Sequence, residues 1–251
     1  MKVSIITVCR NSEATIEAAV CSVLEQDYTD IEYIVIDGKS TDKTFSIIEK
    51  YKNKISKIIS EKDDGMYFAI NKGIKLATGD IVGILNADDF YSNKKIISLV
   101  VKEFASKKPD SVYGNLQYVS RDNPEKIIRH WKSESYGAQF FLKGWMPPHP
   151  TFFVKRSCYE KFGMFNTSFS ISADYELMLR FLYKHKITSS YISEVLVKMR
   201  TGGISNVTLN SRIKANREDR LAWKINGLKP AQLTFVAKPL SKVTQFFKRG
   251  D

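Results

Sequence analysis

The chain has 251 residues, of which 43% are apolar and 26% charged, and it carries a net charge of +12. This balance excludes a disordered or collagen-like chain and fits one large α/β domain or two small ones. No apolar run approaches the 18 or more residues of a membrane span, and residues 2–6 open a strand rather than a signal peptide, so the sequence predicts a cytoplasmic protein.

In chain order, strand signals at residues 3–8, 32–36, 55–60 and 81–85 alternate with helical patterns at 14–25, 44–51, 66–77 and 95–105. That rhythm is the sequence form of stacked βαβ units around a mainly parallel sheet. Beyond Pro109 the pattern changes. Segments 111–118 and 127–131, separated by the polar turn Arg121-Asp122-Asn123-Pro124, predict antiparallel strands. An aromatic, proline-bearing loop at 139–150 precedes a strand at 151–154 and helices at 156–162 and 175–183. Cys9, Cys21 and Cys158 have neither CxxC nor Cys/His spacing, which predicts reduced, buried thiols.

Acids end three successive strands. Asp37 follows the second, Asp63-Asp64 the third and Asp88-Asp89 the fourth. In an open α/β sheet those ends share one edge, where ligands bind, so the acids are expected to converge there. Two adjacent carboxylates repel each other unless a divalent cation joins them, although Asp88 and Asp89 also suit the cap of the following helix. Gly38-Lys39-Ser40 imitates the close of a P-loop, but the required first glycine falls on Tyr33, which excludes that motif.

The ordered set resembles the inverting family 2 glycosyltransferases with a GT-A fold. It comprises Ser4 to Asn11, Ile34-Val35-Ile36-Asp37-Gly38-Lys39-Ser40-Thr41-Asp42, Asp64-Gly65-Met66-Tyr67 through Asn71-Lys72-Gly73, Gly79-Asp80, and Leu85-Asn86-Ala87-Asp88-Asp89. The resemblance implies a Rossmann-like central sheet flanked by helices and an acceptor-side second half, and the charge distribution adds a basic C-terminal tail. It divides the chain into a GT-A domain at 1–206, with a nucleotide-sugar half at 1–106 and an acceptor half at 107–206, and an extension at 207–251. It further implies that Val8 and Arg10 border a nucleobase and that Asp37 and Asp64 bind the base and neighbouring groups. Asp88 would meet the ribose and diphosphate, and Asp89 would be the main ligand of Mn²⁺ or Mg²⁺. Asn86 departs from the commoner Asp at that position.

In the second half, His149-Pro150-Thr151-Phe152-Phe153 and Phe162-Gly163-Met164-Phe165-Asn166 resemble the family's acceptor-side strand and turn. Ser172-Ala173-Asp174-Tyr175-Glu176 resembles its catalytic-base region, with Asp174 as the expected base and Glu176 as the rival. Arg200 to Asn206 reads as a loop closing over the donor, with Arg200 towards the diphosphate. No Gln-x-x-Arg-Trp element of a processive synthase is present, so transfer of a single sugar is expected. The donor would be a nucleotide-diphosphate sugar, with UDP as the expected carrier, and the acceptor a hydroxyl of a glycan or lipid-linked sugar in bacterial polysaccharide assembly. The rival readings are a metal-dependent phosphohydrolase or nucleotidyltransferase, and a non-catalytic sugar-nucleotide-binding protein.

From Val207 onward, ten Lys or Arg stand against three Asp or Glu. No RNA-binding signature or zinc-finger spacing accompanies them, so no nucleic-acid partner is expected. Interleaved with apolar residues, the charges predict either peripheral attachment to an anionic membrane surface or a helix docked on the domain with a solvated basic face.

Overall fold

The computed structural model describes residues 1–137, 139–202, 209–231 and 234–235, and statements of absence below refer to these. Strands β1 (Val3–Cys9), β2 (Ile31–Asp37), β3 (Lys57–Ser60) and β4 (Ile81–Ile84) alternate with helices α1 (Ile16–Leu24), α2 (Thr44–Glu49) and α3 (Met66–Leu76). Because successive side chains point to opposite faces, the near-continuous apolar runs of β1, β2 and β4 are buried on both faces, while β3 at the end of the sheet is only partly buried. On β1, Ile6 and Val8 enter one core while Val3, Ile5 and Cys9 enter the other; on β2, Ile34 and Ile36 oppose Tyr33 and Val35. The sheet therefore has helices on both sides, and α3 lies so close to β1 that a Cβ on Gly73 would collide with Ile6.

The N-terminal half is parallel, as expected, with β1 between β2 and β4 and with β3 outside β2. The second half makes the sheet mixed. After β5 (Asp89–Tyr91) and α4 (Ile96–Lys107) come β6 (Ser111–Val119), β7 (Ile127–Trp131), α5 (Gln139–Leu142), β8 (Phe153–Lys155) and α6 (Arg156–Phe162). Then follow α7 (Ala173–Met178), the 12-residue β9 (Ser189–Arg200) and α8 (Leu209–Ile225). The strand order is β3-β2-β1-β4-β8-β6-β9-β5, with β7 on β6. The predicted β6 and β7 pair antiparallel, while β9, which the alternation did not reveal, pairs parallel to β6 and antiparallel to β5.

Helix α7 passes into a π-helical turn over Leu179–Lys184. Helix α8 packs on α7 and sends Ala222 and Trp223 into the core, at 0% and 1% exposure. The start of the basic extension is thus part of the domain's packing. Residues 236–251, which hold most of the predicted amphipathic tail, lie outside the described residues, as do residues 203–206 of the predicted closing loop.

Candidate active site

The C-terminal ends of β3, β2, β1 and β4 share one edge, because these strands are parallel neighbours. The loops after β1 and β2 are laced together there. Asn11 N donates to Ser40 Oγ at 2.9 Å, Thr41 N to Asn11 Oδ1 at 2.9 Å, Ser12 N to Thr44 Oγ1 at 2.6 Å, and Gly38 N to Cys9 O at 2.8 Å. Asn11 and Lys39 take left-handed φ values of 50° and 55°, which turn the backbone sharply at this rim. Val8 is buried beneath it, and the exposed Arg10 packs its stem beside Gly38.

Asp37 is fully buried at the end of β2. Its carboxylate accepts from Ser40 N and Oγ and, at 2.6 Å, from Ser60 Oγ, so it orders this rim from below. At the end of β3 the two adjacent acids part. Asp64 is exposed, and the acid turned inward is Asp63, whose side chain is 7% exposed and held by Lys72 Nζ at 2.5 Å. Asp63 Oδ2 is buried without a hydrogen-bond partner. Gly65, at φ 145°, supplies the turn from that acid into α3, and L side chains rarely adopt such a φ.

At the end of β4 the adjacent carboxylates separate. Asp89 begins β5, pairs with Met199 of β9 and is fully buried; its Oδ2 accepts from Asn86 Nδ2 at 3.2 Å while Oδ1 has no partner. Burial and the Asp88 charge push its pKa well above the usual carboxylate range, against the Asn86 amide and Arg200. Asp88 is the half-exposed member. Joining β9 draws Asp89 inside and leaves Asp88 half-exposed. Arg200 is 7% exposed at the end of β9, donates to Asp88 O at 2.9 Å and covers the Phe90 ring at 4.7 Å.

For a divalent cation, Asp88 offers one accessible carboxylate and Asn86 an amide oxygen. No group of three or more His, Cys, Asp or Glu among the described residues could hold a metal unaided. The residues fit an ion whose remaining ligands come from a phosphate-bearing partner, which suits the oxygen preference of Mg²⁺ and Mn²⁺.

The opposite wall carries Asp174 in the first turn of α7. His149 Nδ1 lies 3.0 Å from Asp174 Oδ2, and the two side chains are 33% and 20% exposed. The sequence offered His149 no partner; the fold supplies one. Glu176 is 2% exposed and fully engaged by Arg180 and Asn226. Between the walls stand two tyrosines. Tyr67 of α3 donates to Ile171 O at 2.7 Å, and burial followed by the Asp174 charge raises its pKa; burial, with the Asp89 and Asp174 charges, raises that of Tyr118 against the Arg129 guanidinium. Arg129 lies 3.9 Å over the Tyr118 ring, which stacks on Trp131. None of these aromatic contacts was legible from motif spacing.

The family model for Glycosyl transferase family 2 matches residues 4–171, which span β1 to the segment just before Asp174. The chain belongs to glycosyl transferase family 2. It is 32% identical over 183 residues to an uncharacterized glycosyltransferase of Mycobacterium tuberculosis, covering 71% of this chain and 68% of that one. It is 26% identical over 216 residues to the PGL/p-HBAD biosynthesis glycosyltransferase of Mycobacterium bovis, covering 82% and 80% of the two chains. Among solved structures, S. aureus TarS 1–349 in complex with UDP-GlcNAc superposes with a TM-score of 0.69 at 18% identity; the match covers 90% of this chain but 65% of that one. The mannosyltransferase PcManGT of Pyrobaculum calidifontis, in complex with GDP-Man and Mn²⁺, gives 0.65 at 19% identity over 100% and 76% of the two chains. These likenesses establish the GT-A fold.

Proposed function

We propose that this chain is an inverting glycosyltransferase that moves one sugar from a nucleotide-diphosphate sugar, with UDP as carrier, to an acceptor hydroxyl. The observation that carries this reading is the Asp174–His149 pair beside a Glu176 already consumed by Arg180. It leaves one accessible carboxylate on the wall facing the strand-end acids. Asp174 accepts the proton of the acceptor hydroxyl as that oxygen attacks the anomeric carbon, and His149 holds the carboxylate in place. One displacement by one base inverts the configuration. General-base catalysis supplies about 10²- to 10⁴-fold, and positioning much of the remainder.

On this reading Val8, Arg10 and Asp37 form the rim for the nucleoside, with Asp63 beside it. Asp88, with Asn86, would hold Mn²⁺ or Mg²⁺ against the diphosphate; such an ion neutralises charge on a departing phosphate. Arg200 buttresses the Asp88 backbone and brings a guanidinium to the same place. The UDP-GlcNAc complex of TarS and the GDP-Man and Mn²⁺ complex of PcManGT support a nucleotide-sugar donor and a divalent ion.

The acceptor we propose is a glycan or lipid-linked sugar at an anionic membrane surface, in bacterial polysaccharide assembly. No described helix is long and apolar enough to cross a membrane. Helix α8 supports surface attachment instead. Its two acids, Glu218 and Asp219, are buried, whereas Lys214, Arg217, Arg220 and Lys224 face outward with Ile213, Leu221 and Ile225. A face of cations and aliphatic side chains without an acid complements anionic headgroups.

The test is a screen of UDP-sugars and GDP-mannose with Mn²⁺ and octyl glycosides as soluble acceptors, read as release of nucleoside diphosphate and by the anomeric configuration of the product. Acceptor-dependent release with inversion is expected. Failure of UDP and GDP to shift the melting temperature, with or without Mn²⁺, overturns the donor assignment, and a retained configuration overturns the mechanism.

A further inference from the structure

Ser172 precedes α7 at the position where a side chain ordinarily caps a helix, yet it makes no capping bond to α7 and donates instead to Ala215 O of α8 at 3.3 Å. The N–H groups entering this helix turn to a different acceptor. Glu218 of α8, 9% exposed, takes Ser170 N at 3.1 Å and Ser170 Oγ at 2.8 Å on Oε1, and Ile171 N at 2.9 Å and Ser172 N at 2.8 Å on Oε2. Three consecutive backbone donors and a hydroxyl thus converge on one carboxylate from a helix some 46 residues further along the chain. Burial works against its charge, but these bonds hold its carboxyl below the usual range. The same helix reaches α7 twice more, through Trp223 Nε1 to Tyr175 OH at 2.8 Å and Asn226 Nδ2 to Glu176 Oε1 at 2.9 Å. From the other side Tyr67 fixes Ile171 O.

We propose that Glu218 is a positioning residue for Asp174: by gathering the backbone of Ser170–Ser172 it fixes where α7 begins, and so where the Asp174 carboxylate stands relative to His149 and the acceptor hydroxyl. The proposal rests on Asp174 being the base. The residues matched to the family end at 171, so Asp174 and helix α8 both lie just beyond them. Charge-assisted bonds are about twice as strong as neutral ones, and an ångström of misplacement can cost about 10²-fold in rate.

The experiment measures kcat, donor KM and UDP affinity for Glu218→Gln, Asp174→Asn and the double variant, as UDP release from the donor that turns over with an octyl glycoside. Gln turns an NH₂ group towards two of the four donors. Glu218→Gln is expected to lower kcat by about 10- to 100-fold with donor KM within about twofold, and to lower it no further in the Asp174→Asn background, as befits coupled residues. An unchanged kcat for Glu218→Gln, or a full multiplicative loss in the double variant, overturns the proposal. Normal turnover by Asp174→Asn alone overturns the base assignment, a separate result. Should Glu218→Gln lose UDP-dependent thermal stabilisation, Ser170→Ala decides: it removes one bond at an exposed residue and should lower kcat by about two- to fivefold without changing UDP affinity, and no change refutes the brace.

Discussion

Arg180 grips Glu176 with two parallel bonds, Nε to Oε1 at 2.8 Å and Nη2 to Oε2 at 3.0 Å, and its other donors reach Gly163 O and Met164 O at 3.0 and 2.7 Å. One turn of helix separates the two residues, so the fork closes with little distortion. The consequence is a division between neighbouring acids: Glu176 ties α7 to the turn before it, and Asp174 stays accessible.

That division is measurable. Asp174→Asn should keep UDP binding and melting temperature while losing about 10² to 10⁴ of kcat. Glu176→Gln should do the opposite, costing about 3 kcal/mol of stability by leaving a buried guanidinium without its counter-charge, with a smaller loss of kcat. Calorimetric melting beside steady-state rates checks both. A kcat loss confined to Glu176→Gln would exchange the roles.

At the end of β4, Asp88→Asn should weaken Mn²⁺-dependent UDP binding by at least about tenfold and leave the melting temperature of the ligand-free protein unchanged, because surface substitutions usually alter stability by about 0.5 kcal/mol or less. Isothermal titration with Mn²⁺ and with chelator reads this out. Equal UDP affinity in both conditions for the parent protein would remove the ion from the proposal.

The buried Glu32 gives a pH signature remote from the site. Burial alone would raise its pKa, but Ser4 Oγ at 2.6 Å, Thr78 N at 2.7 Å, Thr78 Oγ1 at 2.9 Å and Lys57 Nζ at 3.2 Å lower it from 4.5 to about 2. A depressed folded-state pKa means that the unfolded chain binds the proton more tightly, so stability rises with pH across this window. The contribution is fully present above pH 4.5 and is lost as pH falls towards 2. Glu32→Gln should flatten that part of the urea-unfolding profile, and an unchanged acid slope would place the sensitivity elsewhere.

The outer face of α8 gives a fourth test. Reversing Lys214, Arg217 and Lys224 to Glu should release the protein from vesicles of anionic phospholipid, since each cation near such a surface contributes about 1 kcal/mol, and should spare turnover on a soluble acceptor. Raising salt should weaken binding of the parent in the same way. Vesicle binding indifferent to both changes would leave α8 a docked helix with a solvated face.

Much of the first hundred residues was legible because β1, β2 and β4 are apolar runs buried on both faces and bounded by polar residues, so the strand ends declared themselves. Strand β9 did not: its register against β6 shifts between Gly114 and Leu116, where Ile192 and Val195 face consecutive β6 residues, and this irregularity erases alternation. Adjacent acids were equivalent in the sequence. Only the path of the chain shows that Asp63 turns in and Asp64 out, and that β9 draws Asp89 inside while Asp88 stays at the surface. Glu218 carried no local signal either, since its partners lie more than 45 residues away.

The lacing between the β1 and β2 loops bears on the thermodynamics of recognition. Asn11 is already bonded to Ser40 and Thr41, and Ser12 to Thr44, with no ligand contributing. A pocket rim that is rigid beforehand loses little conformational freedom when occupied, so more of the contact energy survives as affinity. On the proposed reading, specificity for the base is set by a template that these bonds have already shaped.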